Sequence, residues 1–135
     1  MPIGLYSVEP VGQLAVTNLV VVAPPEPLTA FLAHRGYLPF GVPLIKRILA
    51  LPGQSVCRNE RTISVGGIEM GTALAHDRRG RALPVWQGCR AISQGEIFLV
   101  NRDEPAASLD GRYFGPIPFS AIIGRAKPLW TFEEQ

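Results

Sequence analysis

The chain has 135 residues, 47% of them hydrophobic and 18% charged, and its net charge is +2. This length suits one domain with a real core, the low charge content argues against a disordered chain, and so small a net charge does not indicate nucleic-acid binding. Runs without a polar residue, such as residues 19–25, are far too short to cross a bilayer.

Glycine and proline occur 14 and 13 times, which favours short strands over long helices. In chain order, we predict a strand at residues 13–23, a helix at 26–34, strands at 43–51, 54–56, 62–65, 68–70 and 96–101, a loop at 102–115, a short strand or turn within 117–123 and a closing segment at 126–132. The stretch at 71–90 is polar and irregular. The pattern predicts a mainly β, antiparallel fold with one short helix, a single domain over residues 1–135, and a projecting β subdomain at residues 57–92.

Two adjacent cations interrupt the apolar strand at 43–51. Alternation places Lys46 on one face with Ile48, and Arg47 on the other, so one of the two is at least partly buried. Burial lowers the pKa of a lysine, and a neutral lysine amine is a competent general base. The alternative is a lysine that extends its ammonium group into water from an edge strand.

A second polar cluster lies at residues 108–115. Asp110 and Arg112 can form an ion pair across a tight turn, and Ser108 can cap that turn or reach a neighbouring side chain. By itself the cluster is typical of a structural loop. Arg78, Arg79 and Arg81 form the densest basic stretch, for which a solvated turn is the simpler interpretation and a phosphate or membrane-surface contact the alternative.

The two cysteines, Cys57 and Cys89, lie 32 positions apart, without a second pair that could complete a zinc site. They are either two buried thiols or one disulfide, and the compartment decides between these.

Together, these segments resemble the type I signal peptidase family, in particular its conjugative-transfer branch of TraF-type peptidases that mature pilin precursors. Residues 1–6 (MPIGLY) are similar to the end of that branch's Ser-x-Pro-x-Gly-x-Tyr box, residues 44–53 to its lysine box and residues 108–115 (SLDGRYFG) to its third box. Further similarity at 86–90 and 124–131 extends the resemblance over nearly the whole chain.

The resemblance implies a Ser-Lys peptidase that needs neither a metal nor a cofactor. Lys46 matches the general base, Ser108 the serine that orients the lysine amine, and Asp110 and Arg112 a supporting ion pair. The residues that match the borders of the substrate groove are Met1, Pro2, Ile3, Pro43, Leu44 and Ile45. We expect small apolar residues before the cleavage site of the substrate.

The family's nucleophilic serine falls immediately before Met1 and is absent from this sequence, while Ser7 lies outside the box. Residues 1–135 are therefore expected not to hydrolyse peptides. A sequence start that trims the serine and the membrane anchor together, or natural loss of catalysis, would explain the absence.

The family's domains face the periplasm, held at the inner membrane by an N-terminal anchor that this sequence lacks. In that oxidising compartment Cys57 and Cys89 are expected to form a disulfide. The implied partners are a pilin-precursor peptide, the conjugative transfer apparatus and, through the anchor, the membrane, with no nucleic acid. The resemblance also allows cyclisation of the pilin as an alternative to hydrolysis.

Two rival classes are a non-catalytic β-rich docking module of a conjugation or secretion apparatus, and a self-cleaving repressor core. The repressor core predicts an attached DNA-binding segment and an internal cleavage site, neither of which is evident in the sequence.

Overall fold

Ten strands in two antiparallel sheets, two short α-helices and one turn of 3-10 helix at Phe119–Ala121 form the regular structure of the described part of the chain. The computed structural model describes the backbone of residues 4–101 and 109–131, and the side chains of residues 7–101 and 109–127. The strands are β1 Gly4–Glu9, β2 Leu19–Val22, β3 Leu44–Ala50, β4 Ser55–Asn59, β5 Thr62–Val65, β6 Ile68–Thr72, β7 Gly88–Ala91, β8 Glu96–Val100, β9 Ile117–Pro118 and β10 Ile122–Thr131, and the helices are α1 Leu28–His34 and α2 Gly111–Phe114. The predicted fold class, mainly antiparallel β, is confirmed.

The larger sheet has the strand order β1-β10-β2-β3-β8-β9. Its central strands β2, β3 and β8 are rich in valine, isoleucine and leucine, which suit a pleated and buried surface. Their side chains, among them Val20, Ile48 and Leu99, form one of three buried apolar clusters.

The smaller sheet, β6-β5-β4-β7, is built from residues 55–91. Val56 and Ile63 of this sheet pack with Ala50 and Phe98 of the larger one in a second buried cluster. A third cluster joins α1, through Leu32, to Leu109 and Tyr113 around α2. The segment that contains α2 is therefore packed from several sides.

The prediction of a strand over 13–23 was wrong in its first half, because only Leu19–Val22 is a strand. The chain turns just before it: the Asn18 side chain accepts a hydrogen bond from the Ala15 N–H (2.9 Å), and Thr17 has a φ of 79°. Within the predicted loop at 102–115 the structure contains the one-turn helix α2, and the predicted irregular stretch at 71–90 ends in β7.

The basic stretch is a tight turn. The Asp77 carboxylate accepts hydrogen bonds from the N–H groups of Arg79 and Arg81 and forms an ion pair with the Arg81 guanidinium (2.8 Å). Arg78 and Arg79 are exposed. In the part of the chain that the structure describes, no helix has the length and apolar character to span a membrane.

Candidate active site

Lys46 lies in the middle of β3, between β2 and β8. Lys46 is only 2% exposed, because it shares the inward face of β3 with the buried Ile48 and Ala50. The pKa of Lys46 is lowered from its ordinary 10.5 to about 8, chiefly by burial. The negative charge of Asp110 raises this pKa, and the positive charge of Arg112 lowers it. The amine can thus be neutral at mildly alkaline pH.

Asn101 follows β8 directly and contacts the lysine. The Lys46 Nζ donates a hydrogen bond to the Asn101 Oδ1, and Asn101 is itself buried. The sequence did not single out Asn101 as a functional residue. The signal that could have found it is a polar residue at the end of an apolar strand, but that signal does not name a partner.

Asp110 and Arg112 form the predicted ion pair at the start of α2. The Arg112 Nε lies 2.9 Å from the Asp110 Oδ1 and 3.1 Å from its Oδ2. Asp110 also caps the helix by accepting the Arg112 N–H (3.0 Å), and it accepts the Asn101 N–H at 2.7 Å. Asp110 is fully buried and Arg112 is 6% exposed, so water does not compete for these bonds.

The smaller sheet and the residues around it hold α2 in place. The Arg58 guanidinium donates to the Arg112 carbonyl oxygen (2.6 Å), and Arg112 donates to the Thr72 carbonyl oxygen (2.8 Å). The Trp86 indole N–H donates to the Gly111 carbonyl oxygen (3.0 Å). These backbone contacts fix the ion pair, and with it the environment of Lys46.

The predicted groove residues divide into two groups. Leu44 and Ile45 are partly buried and pair with Val22 and Val21 of β2 on one side. On the other side β8 pairs with β3 only from Arg47 onward, so among the described residues no strand covers Leu44 and Ile45 there. Pro43 is exposed and lines an apolar cavity of about 370 Å³ together with Leu38.

Four predicted site residues lie outside the described residues: Met1, Pro2, Ile3 and Ser108. Of the remaining ones, the structure brings Lys46, Asp110 and Arg112 together around Asn101.

Cys57 and Cys89 form a disulfide. They are directly opposite each other on the paired strands β4 and β7, which brings their side chains to the same side of the smaller sheet. The bond thus joins the first and the last strand of that sheet in sequence order, next to Arg58.

Comparisons with known proteins identify a family and several relatives that are similar to this chain. A family model described as signal peptidase, peptidase S26, matches residues 1–130. The chain is 39% identical over 143 residues to conjugal transfer protein TraF of Agrobacterium fabrum, covering 98% of this chain and 78% of that protein. It is 32% identical over 145 residues to plasmid transfer protein TraF of Escherichia coli, covering 98% of this chain and 79% of that protein.

Among solved structures, the fold is similar to that of a signal peptidase I from Enterococcus faecalis, with a TM-score of 0.50 and 15% sequence identity. The match covers 85% of this chain and 97% of that one. At this identity the likeness shows a shared fold.

Proposed function

Because this chain belongs to the signal peptidase family, peptidase S26, we propose that it is a Ser-Lys serine endopeptidase that cleaves a pilin precursor during conjugative transfer. The observation that carries the proposal is the buried Lys46 amine, with its pKa lowered to about 8. A lysine whose pKa lies this close to neutral pH can accept the proton of a serine hydroxyl without help from histidine.

In the proposed mechanism the nucleophile is a serine placed immediately before Met1. Its hydroxyl attacks the scissile carbonyl while the Lys46 Nζ takes the proton, and the resulting ammonium group then gives that proton to the leaving amine. The ester that joins serine and substrate is opened by water, or by an amine of the same pilin to give a ring. The serine's own backbone N–H stabilises the oxyanion.

The supporting residues keep the base in place. Ser108 orients the amine, and Asp110 with Arg112 holds the segment beneath it through the bonds to Asn101 and to the smaller sheet. Because the ion pair is buried and fully hydrogen-bonded within α2, it can fix geometry without exchanging with solvent.

The substrate is proposed to bind as an extended strand along the edge of β3 at Leu44 and Ile45, where β3 pairs with no further strand among the described residues. Main-chain hydrogen bonds to such an edge give affinity, and pockets for alternate side chains give specificity. Pro43 and residues 1–3 are proposed to border this groove. Small apolar side chains before the scissile bond suit it.

We place the domain at the periplasmic face of the inner membrane, held there by an anchor before Met1 and working with the transfer apparatus. The conjugal transfer names of the relatives support the link to the transfer apparatus, and the disulfide supports an oxidising compartment.

The test adds Gly-Ser before Met1 and follows cleavage of a pilin precursor, and of peptides with small apolar residues before the scissile bond, by mass spectrometry. The extended protein should cleave, whereas a Gly-Ala extension and unextended residues 1–135 should not.

In the Gly-Ser protein, Lys46→Met should lower kcat by about 10²- to 10⁴-fold. Lys127→Met, at the only other lysine and an exposed one, is the matched control and should leave kcat unchanged. Full activity in Lys46→Met, or none in the Gly-Ser protein on any of these substrates, would rule the proposal out.

A further inference from the structure

The pairing of β3 with β8 brings Asn101 opposite Lys46. Arg47 pairs with Val100, and Ile48 with Leu99, in antiparallel register. The next position in that register sets Lys46 against Asn101, and cross-strand neighbours of this kind place their side chains on one face. The hydrogen bond from the Lys46 Nζ to the Asn101 Oδ1 follows from this register.

The position of Asn101 is in turn fixed by the ion pair. Its backbone N–H donates to the Asp110 Oδ2 at 2.7 Å, and the Asp110 Oδ1 accepts from the Arg112 backbone and guanidinium. Asp110 is fully buried and Asn101 is 8% exposed, so neither is easily displaced by water. Asp110 therefore acts on Lys46 in two ways, through its charge and through the placement of Asn101.

An amide oxygen suits this place chemically. A neutral lysine amine has two N–H bonds and one lone pair, and an acceptor fixed on one N–H limits rotation of the group, which directs the lone pair. An amide holds the amine without a full negative charge, whereas a carboxylate would raise the pKa of the lysine and keep it protonated. The amide oxygen accepts an N–H of the amine in either protonation state, whereas the amide nitrogen would donate to the lone pair of the neutral amine.

We propose that Asn101 is a further positioning residue for Lys46, and that its side-chain oxygen helps to set both the direction and the basicity of the amine. This inference rests on the proposed Ser-Lys mechanism for its catalytic meaning, but the coupling of the two side chains can be measured without catalysis. Among the described residues, the charged groups that act on Lys46 from the packed elements are Asp110 and Arg112.

The test follows the titration of Lys46 by NMR in protein with ¹³C-labelled lysine. The chain contains two lysines, Lys46 and Lys127, so the spectra carry one signal of interest and one from an exposed reference residue. The proteins compared are residues 1–135 unchanged, Asn101→Leu, Asn101→Asp and the control Asn59→Leu. Asn59 is exposed at the end of β4, in the other sheet.

Asn101→Leu removes the acceptor at similar volume, and the midpoint of the Lys46 titration should fall by about one pH unit. Asn101→Asp adds a negative charge at the same place, and the midpoint should rise by at least about one pH unit. Asn59→Leu should not move it. Each Asn101 variant decides by itself if the other does not fold, and an unchanged midpoint in a folded Asn101 variant would overturn the proposal.

Activity measurements distinguish a failure of this inference from a failure of the proposed peptidase function. In the Gly-Ser protein, Asn101→Leu should lower kcat by roughly 10- to 100-fold with little change in KM, because the amine is misdirected after the substrate has bound. An inactive Gly-Ser protein would defeat the proposed peptidase function and leave the titration result standing. A Gly-Ser protein that is active and unaffected by Asn101→Leu would defeat the positioning role.

Discussion

At the scale of single residues, the sequence identifies Lys46 as a candidate base but does not predict which residues surround it. Strand alternation places Lys46 and Ile48 on one face, and the structure buries that face. Alternation alone does not tell whether the face of Lys46 or that of Arg47 is the inward one. Asn101 could not be predicted, because its link to Lys46 depends on the register between strands that lie about 50 residues apart.

The buried ammonium of Lys46 should cost stability in a pH-dependent way. Its folded-state pKa, about 8, lies below the value of 10.5 expected for the unfolded chain. Both states bind the proton below pH 8, so the penalty of about 3 kcal/mol is fully present there. Between pH 8 and 10.5 the unfolded state binds more protons than the folded one, and stability therefore rises with pH.

Lys46→Met removes this titration. Its free energy of unfolding should exceed that of the unchanged protein by the largest amount below pH 8, and this gain is reduced by the cost of removing the hydrogen-bond donor to the Asn101 oxygen. Urea unfolding of both proteins at several pH values between about 6 and 10.5 measures the difference, which should shrink by about 3 kcal/mol across the upper part of this range. Lys127→Met is the control. A difference that does not vary with pH would contradict a buried, shifted lysine.

The same lysine should set the acid limb of the proposed peptidase activity. Only the neutral amine can accept the serine proton, so kcat/KM of the Gly-Ser protein should rise about tenfold per pH unit below the pKa of Lys46, about 8, and level off above it. A pH profile from about 6 to 10 measures this. A profile that is flat between pH 6 and 8 would show that another group is the base.

At the scale of elements, the sequence predicts best the strands whose own pattern is strong. The apolar run around β3 and the β-branched residues of β5 and β8 were located closely. The helix α2 was missed, because a four-residue helix has too few hydrogen bonds to be stable by propensity. Its stability comes from the Asp110 cap and from bonds to Arg58 and Trp86, which lie far away in the sequence.

Gly111, at the start of α2, should not tolerate a side chain. A Cβ there would lie 2.7 Å from the Leu99 carbonyl oxygen and 2.9 Å from the Phe98 ring, both on β8. Gly111→Ala should therefore push α2 and β8 apart, displace Asn101 from Lys46 and lower the free energy of unfolding by about 1–3 kcal/mol.

Gly71→Ala is the matched control for Gly111→Ala. Gly71 lies in β6, with nothing within 4 Å of an added Cβ, so its substitution should be neutral or slightly stabilising. Urea unfolding compares the two variants, and the Lys46 titration should shift only in Gly111→Ala. Equal stabilities would show that β8 and α2 are not tightly packed at this point.

At the scale of the whole molecule, the pairing of distant segments is what the sequence could not reveal. β1, near the start of the described chain, pairs with β10, near its end, so that Gly4 lies opposite Thr131. Gly124 permits this approach, since a Cβ there would clash with the Glu9 carbonyl oxygen. The pattern of predicted elements supplied the fold class and the family resemblance agreed with it, but neither composition nor periodicity specifies which strands are neighbours.

The disulfide should stabilise the whole molecule while leaving the site geometry to other contacts. Cys57 and Cys89 close a loop with a sequence separation of 32, for which the chain-entropy model gives about 3–4 kcal/mol. The double variant Cys57→Ser, Cys89→Ser should lose about this much in urea unfolding, and the reduced unchanged protein should match it. Lys46 should keep its titration midpoint in the folded double variant, because α2 is held by Arg58, Trp86 and the ion pair rather than by the disulfide itself. A shifted midpoint would mean instead that the bridge keeps Arg58, the neighbour of Cys57, in position against α2, and that reduction alone can disable the base.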